Sequence, residues 1–197
     1  MKIFLDYNTN FYSEKNRVLG NCITVIDNNK YFYYEFIPKN NEALIKCNSL
    51  EYIIEAVNEY RKYKKYINTF YTEDKSYYEE FEYIHSFKLP ISCIQPSKFF
   101  IDRKYLDIYE KYKEYDDIHV KVAIINDEYV CLDGHTKLYA MLNDYEKLVN
   151  VFIDEYEDKI NDFVYIAKEQ NIRSIKSIEI ISHEEYLQFI DEFEKQF

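Results

Sequence analysis

The sequence is most unusual for what it has little of. Its 197 residues include two glycines, three prolines and no tryptophan, whereas a typical composition would give roughly 14 glycines. A chain this poor in glycine keeps one only where the backbone needs a positive φ or a close approach. Gly20 and Gly134 are therefore informative positions, and Gly134 lies in the most distinctive motif of the chain.

Other absences argue against whole classes of protein. No apolar run approaches the roughly 20 residues of a membrane helix, and the start MKIFLDYNTN lacks the apolar core of a signal peptide. We therefore expect a cytoplasmic protein that does not bind membranes. The four cysteines form no C-x-x-C pair, so they match no zinc signature. A net charge of −11 makes DNA binding unexpected, because neutralising phosphates requires clustered lysine and arginine.

The residues that are present predict an α+β fold. Residues 1–86 are predicted to form a β-rich and helical extension, in which CITVI and YFYYEFI flank the Asx-rich turn DNNK as a hairpin. Asn48 and Glu51 have the spacing of a capping box, so they predict a helix that reaches about Tyr66. Residues 67–86 are poorly patterned and predict a short helix or a long loop.

The rest of the chain is predicted to form a mixed-sheet domain over residues 87–155 and a helical extension over residues 156–197 that packs on it. In the domain, ISCI, HVKVAII, YVCL and VNVFI are predicted strands, with a tight turn at Asn126 and Asp127. RKYLDIYEKYKEY and KLYAML are predicted helices. In the extension, Ser182 and Glu185 form a capping box before the last helix.

The loop DGHTK, residues 133–137, carries the most chemistry, because it joins a predicted strand to a predicted helix. The unpaired amides and positive dipole of a first helical turn attract phosphate. Gly134 permits close approach of a ligand, Thr136 can cap the helix or donate to an oxygen, and Lys137 supplies a charge.

Two further residues of the loop extend this prediction. His135 can donate to a phosphoryl oxygen or exchange a proton near pH 7. Asp133 would repel bare phosphate, so it indicates a magnesium ion or a hydroxyl to be deprotonated. The alternative interpretation of the same loop is a capped strand–helix turn, with Asp133 as an Asx-turn residue and His135 exposed.

The stretches LPISCIQPSKFFIDRKYLDIYEKY and DDIHVKVAIINDEYVCLDGHTKLYAML together resemble the ParB/sulfiredoxin superfamily. The shared landmarks are an I-x-P-S turn, a helix, a strand pair and an Asp-Gly-His-x-Arg/Lys loop before a helix. The resemblance covers residues 87–153 and implies a ParB/sulfiredoxin-like mixed sheet that binds nucleotide. In this fold the turn at Ser97, Lys98, Asp102 and Arg103 faces the DGHTK loop, so these four residues are expected to contact the ligand.

Within the superfamily, two branches fit poorly. Sulfiredoxins carry a catalytic cysteine where this chain has His135. ParB partitioning proteins bind CTP through a Gly-Glu-Arg-Arg loop and add a DNA-binding domain, whereas this loop offers only Lys137 and the tail is acidic. The loop is most similar to Asp-Gly-His-His-Arg of free-serine kinases. Their catalytic glutamate maps near Lys98, and the nearest acid here is Asp102.

The resemblance leaves two hypotheses open. In the first, the protein binds ATP or ADP, with CTP as a further option, and transfers a phosphoryl group to a small hydroxylated metabolite such as a free amino acid. Asp133 would hold Mg²⁺ or orient the acceptor, and His135 would stabilise charge or move a proton. In the second, the same loop makes the chain a non-catalytic, nucleotide-responsive module, and the aromatic N-terminal region binds a partner protein.

Overall fold

The computed structural model describes residues 1–5, 9–112, 118–142 and 148–194. They form two compact units, Met1–His85 and Ser86–Phe197. Both units combine strands with helices, so the chain is α+β, as the sequence predicts. In the described part of the chain, no helix has the length and apolar character needed to cross a membrane.

The first unit is built on a six-stranded sheet whose spatial order is the order of the chain. All neighbours are antiparallel except β4 and β5, which are parallel; the helix α2 lies between these two strands in the sequence, as a parallel crossover requires. The elements are β1 (Lys2–Leu5), α1 (Glu14–Val18), β2 (Cys22–Asp27), β3 (Lys30–Lys39), β4 (Glu42–Cys47), α2 (Ile53–Tyr63), β5 (Thr69–Thr72) and β6 (Tyr78–Glu80).

Short-range predictions in this unit are partly confirmed. Asn28 and Asn29 both have positive φ, 48° and 61°, as a tight hairpin between β2 and β3 requires. The predicted helix start at Asn48 is wrong, because α2 begins at Ile53. The Asn48 side chain instead bonds the backbone of Tyr33 and Tyr31.

The prediction of a short helix or a long loop over residues 67–86 is wrong, because this segment contains β5, β6 and the first residue of a further strand. These strands are short, and their pairing partners are distant in sequence or lie across a turn. The alternation of buried and half-buried residues in TFYT is only four residues long, which is too short for a reliable period.

Many of the aromatic residues form the core of this unit. Tyr60 of α2 stacks flat on Phe36 of β3, with ring centroids 4.0 Å apart, and Phe70 of β5 meets both rings edge-on. The buried Tyr60 hydroxyl donates to Asn21 Oδ1 at 3.1 Å. The tyrosine-rich composition therefore serves packing here, because each ring buries a large area and its hydroxyl finds a partner.

The second unit is built on a five-stranded mixed sheet in the order β7-β12-β10-β11-β8 and a separate parallel pair, β9 with β13. The strands are β7 (Ser86–Pro90), β8 (Ile94–Gln95), β9 (Phe100–Asp102), β10 (His119–Ile125), β11 (Glu128–Asp133), β12 (Leu148–Ile153) and β13 (Glu179–Ile181). The helices are α3 (Arg103–Lys111), α4 (His135–Ala140), α5 (Lys159–Glu169) and α6 (His183–Glu194).

Several predictions for this unit are confirmed. Asn126 and Asp127 have positive φ and join β10 to β11. Ser182 and Glu185 bond each other's backbone amides at 3.2 and 2.9 Å, which is the capping box expected before α6. The predicted strand ISCI is wrong in extent, because Ile91–Cys93 is a 3₁₀ turn. The end predicted for α3, residues 113–115, lies outside the described residues.

The topology brings two loops together. The strands β8 and β11 are parallel neighbours, and the carboxyl ends of parallel strands meet at one edge of a sheet. The chain leaves β8 into Pro96, Ser97 and Lys98, and it leaves β11 through Gly134 into α4. The fold thus places the predicted turn beside the DGHTK loop.

A buried carboxylate ties α1 to the first sheet and generates a stability prediction. Glu35 Oε1 accepts from the backbone and hydroxyl of Ser13 and from Asn16 Nδ2, at 2.6–3.0 Å. Burial opposes ionisation, but these hydrogen bonds hold the pKa of Glu35 below its ordinary value of 4.5. We expect Glu35→Gln to lower the free energy of unfolding at pH 7 by about 1–2 kcal/mol.

Because the pKa is lower in the folded state, the stabilisation is present above pH 4.5 and is lost as the pH falls below it. The wild type and Glu35→Gln should therefore converge in acid, as measured by urea unfolding across pH. Glu42→Gln, at an exposed position of β4, is the control and should leave stability unchanged. A constant difference between wild type and Glu35→Gln at all pH values would contradict the assignment.

Candidate functional site

The loops after β8 and β11 line a pocket of about 200 Å³. Seven of the nine predicted site residues border it: Lys98, Asp102, Asp133, Gly134, His135, Thr136 and Lys137. The sequence analysis missed its aromatic walls, which are Phe100, Tyr105, Tyr109 and Tyr186. Residues far apart in sequence are thus joined around one small polar cavity.

Ser97 and Arg103 are the two predicted residues that do not line this pocket. Ser97 is 4% exposed, and its hydroxyl donates to the Cys131 carbonyl at 2.6 Å. Arg103 is the exposed first residue of α3. The hydrogen bonds of Ser97 therefore stabilise the loop. The structure gives no support for ligand contact by Arg103.

His135 is part of the interior rather than a reactive group. Its side chain is buried, with 1% of the residue exposed, and Nε2 accepts a hydrogen bond from the Ser97 backbone amide at 3.0 Å. An amide only donates, so Nε2 has no proton and the neutral ring carries it on Nδ1, 3.5 Å from Cys131 Sγ. Burial, helped by the charge of Lys98, lowers the pKa of His135 to about 3.

This geometry argues against the predicted roles of His135 in proton exchange and charge stabilisation, because both ring nitrogens already have protein partners. It also argues against a Cys–His catalytic pair. The Cys131 thiol is buried and donates to the Asp133 carbonyl at 3.4 Å, and burial raises its pKa well above the ordinary value. Protonated Cys131 and neutral His135 therefore hold the loop in place.

Gly134 is required for a reason that differs from the predicted one. Its φ is +104°, and a Cβ at this position would lie 3.4 Å from both γ-carbons of Val120. Side chains rarely adopt such a φ. A contact of 3.4 Å with Val120 is of ordinary length, so it is the positive φ that the turn from β11 into α4 requires of Gly134.

Asp102 lines the pocket, but both of its carboxylate oxygens are engaged. Oδ1 accepts from the Lys104 amide at 2.9 Å and so caps α3, while Oδ2 lies 2.7 Å from His183 Nδ1. His183 Nε2 lies 3.3 Å from Lys104 Nζ, which only donates. His183 therefore donates through Nδ1 to Asp102. The structure thus gives Asp102 a structural pairing, and its contact with a ligand stays a prediction.

The partnership between Asp102 and His183 spans 81 residues of sequence. It arises because β9 and β13 are parallel with Ile181 opposite Asp102, and because a helix starts directly after each strand. His183 carried no signal beyond its place after a capping serine. The contact between His183 and Asp102 could have been predicted only from the pairing of β9 with β13, and no sequence pattern indicated that pairing.

Three charged side chains line the pocket besides Asp102: Asp133, Lys98 and Lys137. The surrounding protein atoms oppose ionisation of Asp133, but Lys137 and Lys98 outweigh them and lower its pKa. Asp133 and Lys98 are exposed, and Lys137 is half-buried with Nζ 5.9 Å from the Tyr109 ring centroid. The pocket therefore offers two cations from different loops around one ionised carboxylate.

The donor set for a metal ion is small. Among the described residues, no group of three or more His, Cys, Asp or Glu side chains could hold one. Of the two carboxylates that line the pocket, Asp133 accepts a hydrogen bond from the Gly134 backbone and lies near the two lysines, whereas both oxygens of Asp102 are engaged. Mg²⁺ is commonly bound through one or two carboxylates plus substrate phosphates, so Asp133 fits a magnesium ion that arrives with phosphates.

Comparisons with known proteins add little. No known protein family and no curated protein match the chain. Among solved structures, it is similar to protein Atu1540 from Agrobacterium tumefaciens, with 13% identity and a TM-score of 0.36. The match covers 49% of this chain and spans 62% of the length of that one.

The buried state of His135 generates a spectroscopic prediction. Nitrogen NMR signals of its imidazole should keep the neutral, Nδ1-protonated pattern from about pH 8 down to about pH 4, because protonation would remove the acceptor for the Ser97 amide. In the urea-unfolded chain the ring should titrate near its ordinary pKa of 6.5.

Since the folded pKa is the lower one, the contribution of His135 to stability is present above pH 6.5 and is lost as the pH falls toward 3. The slope of unfolding free energy against pH in this range should be smaller in His135→Asn than in wild type. Titration of His135 between pH 6 and 7 in the folded protein would overturn the interior assignment.

Proposed function

We propose that the protein binds the phosphates of a nucleotide, ATP or ADP with CTP as the alternative, as a ParB/sulfiredoxin-like domain. The observation that carries the proposal is the convergence of Lys98 and Lys137, from two separate loops, on one small pocket with Asp133. Lysine is a common phosphate ligand because its ammonium group is a compact charge with three donors. A phosphate group between the two lysines would accept hydrogen bonds from both ammonium groups.

The two lysines are expected to attract phosphate more strongly than the first turn of α4 does. The helix α4 has six residues, so its macrodipole is small, and its first-turn amides contribute at most a secondary attraction. Thr136 borders the pocket in the first turn of α4, where its hydroxyl would donate to a phosphate oxygen. Gly134 and His135 act through the loop conformation that they maintain.

Asp133 is the residue proposed to bind magnesium. A carboxylate beside the phosphates repels them unless a cation lies between, and Lys98 and Lys137 already keep Asp133 ionised. Mg²⁺ would neutralise phosphate charge when bound. Asp133 would orient the nucleotide by holding the ion, and the two lysines would contact phosphate oxygens.

Two activities follow from such binding. The first is phosphoryl transfer to a small hydroxylated metabolite such as a free amino acid, with Asp133 as the group that orients the acceptor. The second is a non-catalytic module. The engagement of Asp102 by α3 and His183 favours the module, because Asp102 was the acid nearest to the position of the missing glutamate.

A feature of the first unit also favours the module. Phe11 stacks on Tyr33 with centroids 5.4 Å apart, and Tyr33 stacks on Tyr31 at 6.3 Å. Phe11 and Tyr31 are 38% and 43% exposed. An exposed row of rings of this kind suits a protein partner, since aromatic residues are enriched in protein–protein interfaces.

Calorimetry with ATP, ADP and CTP in magnesium tests the binding proposal. We expect saturable binding, weakened about tenfold or more in Lys98→Ala and in Lys137→Ala, because each loses a charge-assisted contact with phosphate. Arg103→Ala is the matched control, since it removes a nearby exposed cation that does not line the pocket. Absence of heat with all three nucleotides at millimolar concentration would remove the proposal.

Asp133→Asn tests the magnesium assignment through the sign of its effect. Without Mg²⁺ the variant should bind ADP more tightly than wild type, because a repulsive charge is gone. With Mg²⁺ it should bind more weakly, because a ligand of the ion is gone. An effect of the same sign in both buffers would contradict the assignment.

Incubation with γ-labelled ATP and a panel of amino acids then separates the enzyme from the module. Labelled product that is lost in Asp133→Asn indicates phosphoryl transfer.

A further inference from the structure

A second cavity of about 370 Å³ adjoins the charged pocket. The two share Lys98, Phe100 and Tyr186 as lining residues, so they are neighbouring compartments behind a common wall. The second compartment differs in character, because most of its other lining is phenylalanine, isoleucine and leucine from α5, α6 and the segments beside the first loop. We refer to it as the apolar cavity.

Flat aromatic surfaces dominate this cavity. Phe99 is buried, and the partly exposed rings of Phe163 and Phe189 stand edge-on to it, with centroids 6.5 and 6.0 Å away. Phe100 meets Phe189 at 4.8 Å, also edge-on. The cavity is therefore bordered by several aromatic side chains in differing orientations, and an aromatic lining of this kind suits a flat ligand ring.

Of the four polar residues that line the cavity, Lys98 and Tyr186 belong to the wall shared with the charged pocket, and the other two have partners in the protein. The Ser97 hydroxyl donates to the Cys131 carbonyl, and Lys159 pairs with Glu157 at 2.6 Å. The cavity therefore offers stacking and burial to a ligand, with few donors or acceptors to read its edge. Small-molecule sites have this general character, in which apolar walls dominate and a few polar groups fix the orientation.

Together the compartments suit a ligand with an anionic group at one end and a flat, weakly polar ring at the other. We propose that the apolar cavity is the nucleobase subsite of the nucleotide whose phosphates lie at Lys98 and Lys137. This inference rests on the proposed function. Six of the eleven lining residues come from α5 and α6, which lie outside the residues 87–153 that resemble a known superfamily, so the C-terminal helices complete the subsite.

An aromatic subsite with few polar groups should bind different nucleobases with similar affinity. Stacking on aromatic side chains is tolerant of base identity, because every base has a π-face. Because the polar groups of the cavity outside the shared wall are engaged, ATP and CTP should differ in affinity by no more than about tenfold. A strong preference, a hundredfold or more, would overturn the subsite as described, since it would require edge readout.

The decisive experiment compares ADP with ribose 5-diphosphate, which carries the sugar and phosphates without the base, by calorimetry in Mg²⁺. Wild type should bind ADP at least tenfold more tightly. Phe163→Ala should reduce ADP affinity roughly 5- to 100-fold and leave ribose 5-diphosphate unchanged. Tyr165→Ala is the matched control, because Tyr165 lies on the same helix but is 67% exposed and does not line the cavity.

The outcomes separate the two proposals. Equal affinity of wild type for the two ligands would overturn the base subsite and leave phosphate binding intact, even if Phe163→Ala does not fold. Equal loss of both ligands in folded Phe163→Ala would also overturn it, because the ring would then act through the loop. No binding of either ligand to wild type would overturn the proposed function, and the subsite with it.

Discussion

The site depends on one hydrogen bond, from the Ser97 backbone amide to His135 Nε2. It joins the loop after β8 to the loop after β11, and it needs a neutral imidazole because an imidazolium has no lone pair to accept with. Burial of His135 keeps the ring neutral. The same burial therefore sets the protonation state and the distance between the loops that carry Lys98 and Lys137.

This arrangement divides the DGHTK loop into two functions. Gly134 and His135 also border the pocket, but they determine the loop conformation, through the positive φ of Gly134 and the hydrogen bond between Ser97 and His135. Asp133 and Lys137 border the pocket and supply its charge. A histidine between a glycine and a threonine predicted reactivity, because the sequence shows residue types but not which side of the loop each side chain takes.

How much of the structure could be predicted from the sequence depends on how far apart in the chain the interacting residues lie. The hairpin turn at Asn28 and Asn29 and the capping box of Ser182 with Glu185 depend on neighbours within a few residues, and both are confirmed. The partnership of Asp102 with His183 depends on strand pairing across 81 residues. Asn48 was misread because its amide bonds the backbone of a distant strand, which competes with local capping.

Net charge adds a constraint on how a nucleotide would reach the pocket. The chain carries −11 overall, so a bare nucleotide approaches against a repulsive field, while the two lysines attract it only at short range. Magnesium reduces the charge of the incoming phosphates, and at physiological salt the Debye length of about 8 Å screens distant acids more than contacts within the pocket. In the proposed binding, capture would therefore favour the magnesium complex, and the carboxylate that would repel bare phosphate would become a ligand for the cation that accompanies it.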